Sequence, residues 1–145
     1  MASIIDNREI ADALIAGMED VHLAFRVSTI PETPVSGYDP LNKIWYSPDV
    51  ILCHNLEEII IFANPAARDF FGNILGKPSV ELVPNVPELR TKRTEALRRV
   101  IETGNPEYFD RSQRIGKEGQ IVLVTGWAFR YRIGAEYSIG AWLLL

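Results

Sequence analysis

Cysteine is the scarcest informative residue here, with one in 145 positions. Cys53 has no second thiol to meet, so an internal disulfide and any multi-cysteine metal site are excluded. No run of about 18 apolar residues occurs, and the N-terminus lacks a charged stretch followed by an apolar one. A membrane role is therefore not expected, and a cytoplasmic location is. Excess positive charge is also missing. Fifteen basic residues face nineteen acidic ones for a net charge of −4, which argues against nucleic acid as the main partner. The chain has no G-x-S-x-G, HExxH or CxxC motif and no glycine-rich phosphate loop, so neither a catalytic set nor a metal site is expected. What is present is ordinary for a globular domain: 47% apolar and 23% charged residues. A chain of this size buries roughly 68–70% of its unfolded surface and can carry its own core.

Apolar residues recur at steps of three and four through Ile10, Leu14, Met18, Val21 and Phe25. That spacing predicts an amphipathic helix over about Asn7–Arg26, capped by Asp6 with Glu9, and its dry stripe needs a partner. From Ser28 to Pro48 the pattern is broken by proline and glycine and reads as a connector. The expected division is 1–45, an N-terminal helix with a Pro-rich connector, and 46–145, a core domain. Two short strands follow, Asp49–His54 and Glu58–Ala63, rich in β-branched residues. Asn64-Pro65 then opens a short helix to Phe71, Asn as cap and Pro at the first helical position. Short helical turns fit between Ser79 and Pro87, and a longer helix runs over about Glu88–Glu102 to a stop at Gly104. Three strands, Tyr108–Arg114, Gln120–Ile133 and Tyr137–Leu145, are joined by glycine-bearing turns. Two strands, inserted helices and three more strands predict an α+β domain built on one antiparallel sheet.

This order resembles the PAS fold. The run IIIFANPAARDFFGNILGKPSVELV is similar to the PAS stretch in which a strand ends at Asn, a short helix ends in Phe-Gly, and Gly-x-Pro leads into further turns. RTEALRRVIETGNPEYFDRSQRIGKEGQIVLVTGWAFRYRI resembles its long helix, glycine stop and paired strands. Within the family, VILCHN, FANPAARDFFG and YSIGAWLLL are similar to segments of the PAS-related MEKHLA domain, with Cys53 and Asn55 departing from its pattern around His54. The likeness spans about Tyr46–Leu145. It implies a five-stranded antiparallel sheet with helices on one face, with the N-terminal helix left for the other. It also implies a sensory module that binds a small ligand, pairs with another copy, or signals to an effector protein. Residue types argue against two family cofactors. The short helices carry no cysteine for flavin photochemistry, and Glu88–Gly104 carries no histidine for haem iron.

With Gly119 matched to the glycine of the PAS hairpin turn, the resemblance implies that Val122, Val124, Gly126 and Ala128 face the pocket, and alternation then sends Trp127, Phe129 and Tyr131 to the other side. Three large aromatics on an outer face require a cover. The expected cover is the N-terminal stripe, with Leu14, Met18, Val21 and Phe25 meeting Trp127, Phe129 and Tyr131 in a homodimer; the alternative is that the helix caps its own sheet in a monomer. The expected ligand pocket holds Phe62, Asn64, Phe71, Arg93, Val124, Gly126, Ala128 and Trp142. A Trp at 142, where flavin-binding PAS domains hold Gln, points to an apolar ligand or a filled core. Asn64 equally fits a helix cap, and His54 a turn or core residue. Arg93 fits an anionic ligand or, in the structural reading, an ion pair with Glu81, Glu107 or Asp110. The basic residues around Arg90–Arg99 read as a solvated helix face. Three functions follow: a sensory module with a small apolar ligand, homodimerisation, or both; a small isomerase or hydrolase, requiring a pocket carboxylate or histidine of shifted pKa; or a ligand-free dimerisation domain cut from a longer protein.

Overall fold

The computed structural model describes residues 7–25 and 40–144. The expected cap Asp6, Arg26, residues 28–39 of the expected connector, and Leu145 lie outside them. The chain forms α1 (Asn7–Phe25), α2 (Pro40–Trp45), β1 (Val50–His54), β2 (Ile60–Ala63), α3 (Pro65–Phe71), a 3-10 turn (Ser79–Leu82), α4 (Pro87–Thr103), β3 (Glu107–Ile115), β4 (Ile121–Ile133) and β5 (Glu136–Leu144). Helix α2 corrects the expectation of an unbroken connector to Pro48. Pro40 opens a helix instead of ending one, because its fixed φ and missing N–H suit a first helical position, and fully buried Ile44 ties the short helix to the core.

The strands form one antiparallel sheet in the order β2-β1-β5-β4-β3. Strands far apart in sequence thus meet at its centre, where β5 lies between β1 and β4. The two faces carry separate cores. On the outer face, Leu14, Met18 and Val21 of α1 pack with Ile51, Cys53, Phe62, Trp127, Phe129, Tyr131 and Trp142. The approach is tight at Gly17, where any Cβ would collide with the Phe129 ring and the Arg130 carbonyl. On the inner face, Leu52, Ala67, Phe71, Val124 and Leu143 form one cluster, and Val100 of α4 joins Ala128 and Ile139 in another. Helices therefore cover both sides of the sheet, α1 and α2 on one and α3 and α4 on the other. No helix among the described residues is long and apolar enough to cross a membrane.

Candidate functional site

Between the inner sheet face and α4 lies a cavity of about 70 Å³. Leu52, Ala128, Ile139 and Leu143 floor it, Phe71 and Leu97 wall it, and the chain after the 3-10 turn closes one end with Val83. Small residues make the room. Ala128 and Ala141 stand side by side on β4 and β5 where larger residues would fill the space. The polar groups on this lining belong to His54, Ser79, Arg93 and Arg114, and none of the lining residues is an acid.

Three of the four form a bridge. The Ser79 hydroxyl lies 2.7 Å from His54 Nδ1 and 2.5 Å from Arg93 Nη2, and Arg93 Nη1 lies 2.8 Å from Glu58. Arginine only donates, so the serine oxygen accepts from Arg93, while the Ser79 hydroxyl and His54 Nδ1 share one proton in the direction set by the imidazole tautomer. Burial first, and then the Arg93 charge, lower the His54 pKa from its ordinary 6.5 to about 4, so the ring is neutral near pH 7. The backbone is fixed too, since the His54 carbonyl accepts from Tyr131 Oη at 2.7 Å and from Ser138 Oγ at 2.8 Å.

The fourth group reaches the cavity through a fault in the sheet. Phe109 pairs with Gly126 and Ser112 with Val124, so β3 uses three residue steps where β4 uses two. This bulge at Asp110-Arg111 has Arg111 at φ 55°, an uncommon backbone state for a residue with a side chain, and its N–H is taken by Thr125 Oγ1. Regular pairing would set Gln113 opposite Val122 on the inner face; the extra residue sets Arg114 there instead. Arg114 donates to the Gln113 carbonyl and lies 5.5 Å from the centre of the Phe109 ring. Burial first, and then the Arg93 charge, pull its pKa down to about 10. On its far side, Arg114 and Arg93 also line a larger groove of about 460 Å³ between α4 and β3.

Of the eight expected pocket residues, Phe71, Arg93 and Ala128 line the cavity. Val124 packs beside it in the inner core. Gly126 is pressed against the backbone of β5, where any Cβ would meet the Trp142 carbonyl, and does not line the space. Asn64 is saturated. Its Oδ1 accepts from the Ile51 and Ala67 N–H groups while its Nδ2 donates to the Ile44 and Asp49 carbonyls, all within 3.1 Å. Phe62 and Trp142 are corrected to the opposite face. Cross-strand partners share a face, and Phe62 pairs with Cys53 as Trp142 pairs with Trp127. Arg93 is paired, but with Glu58 rather than Glu81, Glu107 or Asp110.

Of the seven expected interface residues, Leu14, Met18, Val21, Trp127, Phe129 and Tyr131 are buried against one another within a single chain. Phe25 remains 41% exposed. Its ring lies 6.0 Å from that of Trp127 and 6.2 Å from that of Tyr108. Sequence reasoning missed Arg114 and Ser79 altogether, and placed His54 in a turn or core. The lone thiol of Cys53 is buried on the α1 face, where desolvation pushes its pKa up to about 12 and leaves it a poor nucleophile.

The sequence profile described as the PAS fold matches residues 46–134. A search of curated proteins finds no match. Among solved structures, the chain is similar to the PAS domain of a protein from Colwellia psychrerythraea, at TM-score 0.58 and 18% identity over 68% of this chain and 87% of that one. It is also similar to PAS-B of Cycle from Drosophila melanogaster with ethylene glycol bound, at TM-score 0.56 and 18% identity over 66% and 97%. A third likeness is to VqmA of Vibrio cholera in a ligand–DNA complex, at TM-score 0.53 and 17% identity over 69% of this chain and 46% of that one. These three share the fold.

Proposed function

The chain belongs to the PAS family, a family of sensory and signalling modules, and from that premise we propose that it binds a small, largely apolar ligand in the cavity between the sheet and α4. The cavity itself carries this proposal. It sits on the helix-covered face, its floor is apolar, and Ala128 and Ala141 keep it open. Within the family, the MEKHLA-like segments VILCHN and FANPAARDFFG border it through His54 and Phe71. Relatives solved with ethylene glycol and with a ligand beside DNA support a small-molecule role. The net charge of −4 supports small molecules and proteins as the proposed partners, and a cytoplasmic location is part of the same proposal.

Signal transfer would run through β4 and β5, whose alternating residues face both cores. Ala128 and Ala141 border the cavity while their neighbours Phe129 and Gly140 meet α1. A ligand that binds one arrangement of these strands better than another shifts the population of α1 positions. Helices α1 and α2, the described parts of residues 1–45, then act as the covering and relaying flank of the domain proposed at 46–145. Homodimerisation belongs to the same proposal, but the six buried stripe and sheet residues are already used within one chain. The surface left for it continues from Phe25 across Tyr108, Leu123 and Leu144, all at least 40% exposed.

The isomerase or hydrolase alternative draws on one observation, the Ser79–His54 contact. An imidazole that protonates only near pH 4 is a weak base at neutral pH, and the Ser79 oxygen is held by Arg93. The pair is thus arranged as a hydrogen-bond bridge, and a sensor without catalytic residues fits better. Thermal-shift screening with small acids, alcohols and ketones tests the ligand proposal, with Ala128→Leu as the filled-cavity control. At least one compound should raise the Tm of the native chain and leave the variant unmoved. A flat screen would favour the ligand-free dimerisation module instead.

A further inference from the structure

We propose that the ligand of this cavity is a small carboxylate with a short apolar body, and that Arg114 is its anchor. This rests on the ligand reading above and adds the chemistry of the ligand's polar end. The observation behind it is a charge imbalance placed by the fold. Two guanidinium groups border the cavity, and no acid lines it. Arg93 is satisfied, with Glu58 on one nitrogen and Ser79 on another. Among the described residues, Arg114 meets one backbone carbonyl and the face of the Phe109 ring and has no ion-pair partner. A half-buried guanidinium next to another is costly unless an anion completes it. His54 supplies no competing charge at neutral pH.

A one-residue bulge, with Arg111 at positive φ, is what turns Arg114 inward. Bulges re-aim side chains beside functional sites, and this one re-aims a cation into an apolar cavity. The approach is cationic as well. The groove that shares Arg93, Arg114, Val83 and Phe109 with the cavity carries five cationic side chains against two carboxylates, in a chain whose net charge is −4. A guanidinium fork matches a carboxylate with two parallel hydrogen bonds, and the apolar floor matches a short alkyl body. The volume, about 70 Å³, is below the roughly 150 Å³ that accommodates benzene, so the body is small.

The test is an NMR titration of the full chain with propionate, propionamide and inorganic phosphate. Propionate should give saturable shifts at Arg114, Ser79 and Ala128, bind at least about tenfold more tightly than propionamide, and lose about tenfold in Arg114→Gln. Arg114→Gln without ligand should melt no lower than the native chain, since it removes an uncompensated charge. If that variant does not fold, Arg114→Lys is read in its place; it keeps the charge but not the fork and should bind several-fold more weakly. Equal binding of propionate and propionamide would overturn the carboxylate claim and leave a neutral-ligand sensor standing. Phosphate binding as tightly as propionate would overturn it in favour of an anion site in the open groove. No response to either three-carbon probe would remove both this claim and the ligand reading beneath it.

Discussion

His54 is held neutral between Arg93, Glu58 and Ser79, and that has a measurable consequence for stability. The unfolded imidazole takes up a proton near its ordinary 6.5, the folded one only near 4. Between those values the unfolded state holds more protons, so stability is fully present above about pH 6.5 and is lost as pH falls toward 4. The total loss is about 3 kcal/mol. Urea midpoints of the native chain and His54→Asn across pH 4–7 should diverge on the acid side, the native chain falling more steeply. Parallel curves would show that the ring is not held neutral. Ser79→Ala should cost about 1–3 kcal/mol at pH 7, because it leaves both His54 Nδ1 and one Arg93 N–H without a partner; an unchanged urea midpoint would contradict the bridge. None of this was legible in the sequence. His54, Ser79 and Arg93 are 25 and 14 residues apart along the chain, and their meeting depends on strand and turn placement. Arg114 was hidden for a different reason, since strict alternation along β3 assigns it to the outer face and only the bulge reverses that.

At the scale of elements, α1 does the most to define the molecule outside the family match. Leu14 and Met18 are fully buried against the aromatics of β4. Either one changed to Ala should cost about 2–5 kcal/mol, read as a lowered urea midpoint, and a cost under about 0.5 kcal/mol would mean that the helix is only loosely attached. Gly17→Ala tests the same contact from the other side. An added methyl in a helix interior ordinarily helps, but here it strikes the Phe129 ring and should destabilise by about 1–3 kcal/mol. The helix was readable from its stripe, and its target from the alternation of Trp127, Phe129 and Tyr131. The two faces of β4 were placed through the match of Gly119 to the family's hairpin glycine, and alternation carries that placement along the strand because no bulge interrupts its pairing with β5. Phe62 and Trp142 were misplaced because alternation gives each strand two faces but not which face is which, and their cross-strand partners Cys53 and Trp127 decide it. Helix α2 was lost to its proline, read as a breaker where it serves as a first helical residue.

The whole molecule is a PAS fold with its outer sheet face covered by its own N-terminal helix and its inner face enclosing a small cavity. Order and length of the elements, glycine turns and the Asn-Pro helix start made the fold readable from one sequence. The oligomeric state depends on what remains exposed after α1 docks, which a list of apolar positions does not reveal. If Phe25, Tyr108, Leu123 and Leu144 form the interface, Leu123→Glu should convert a dimer to a monomer by light scattering while leaving the thermal transition intact. A native chain that is monomeric at all concentrations would remove the dimer from the proposed function. The most direct measurement of the central claim is native mass spectrometry of the full chain as purified from cells, before any dialysis, beside Ala128→Leu. A sensor with an occupied inner cavity should carry one fixed small added mass per chain, absent from the variant; a chain of bare mass, or the same added mass on both proteins, would contradict a ligand in that cavity.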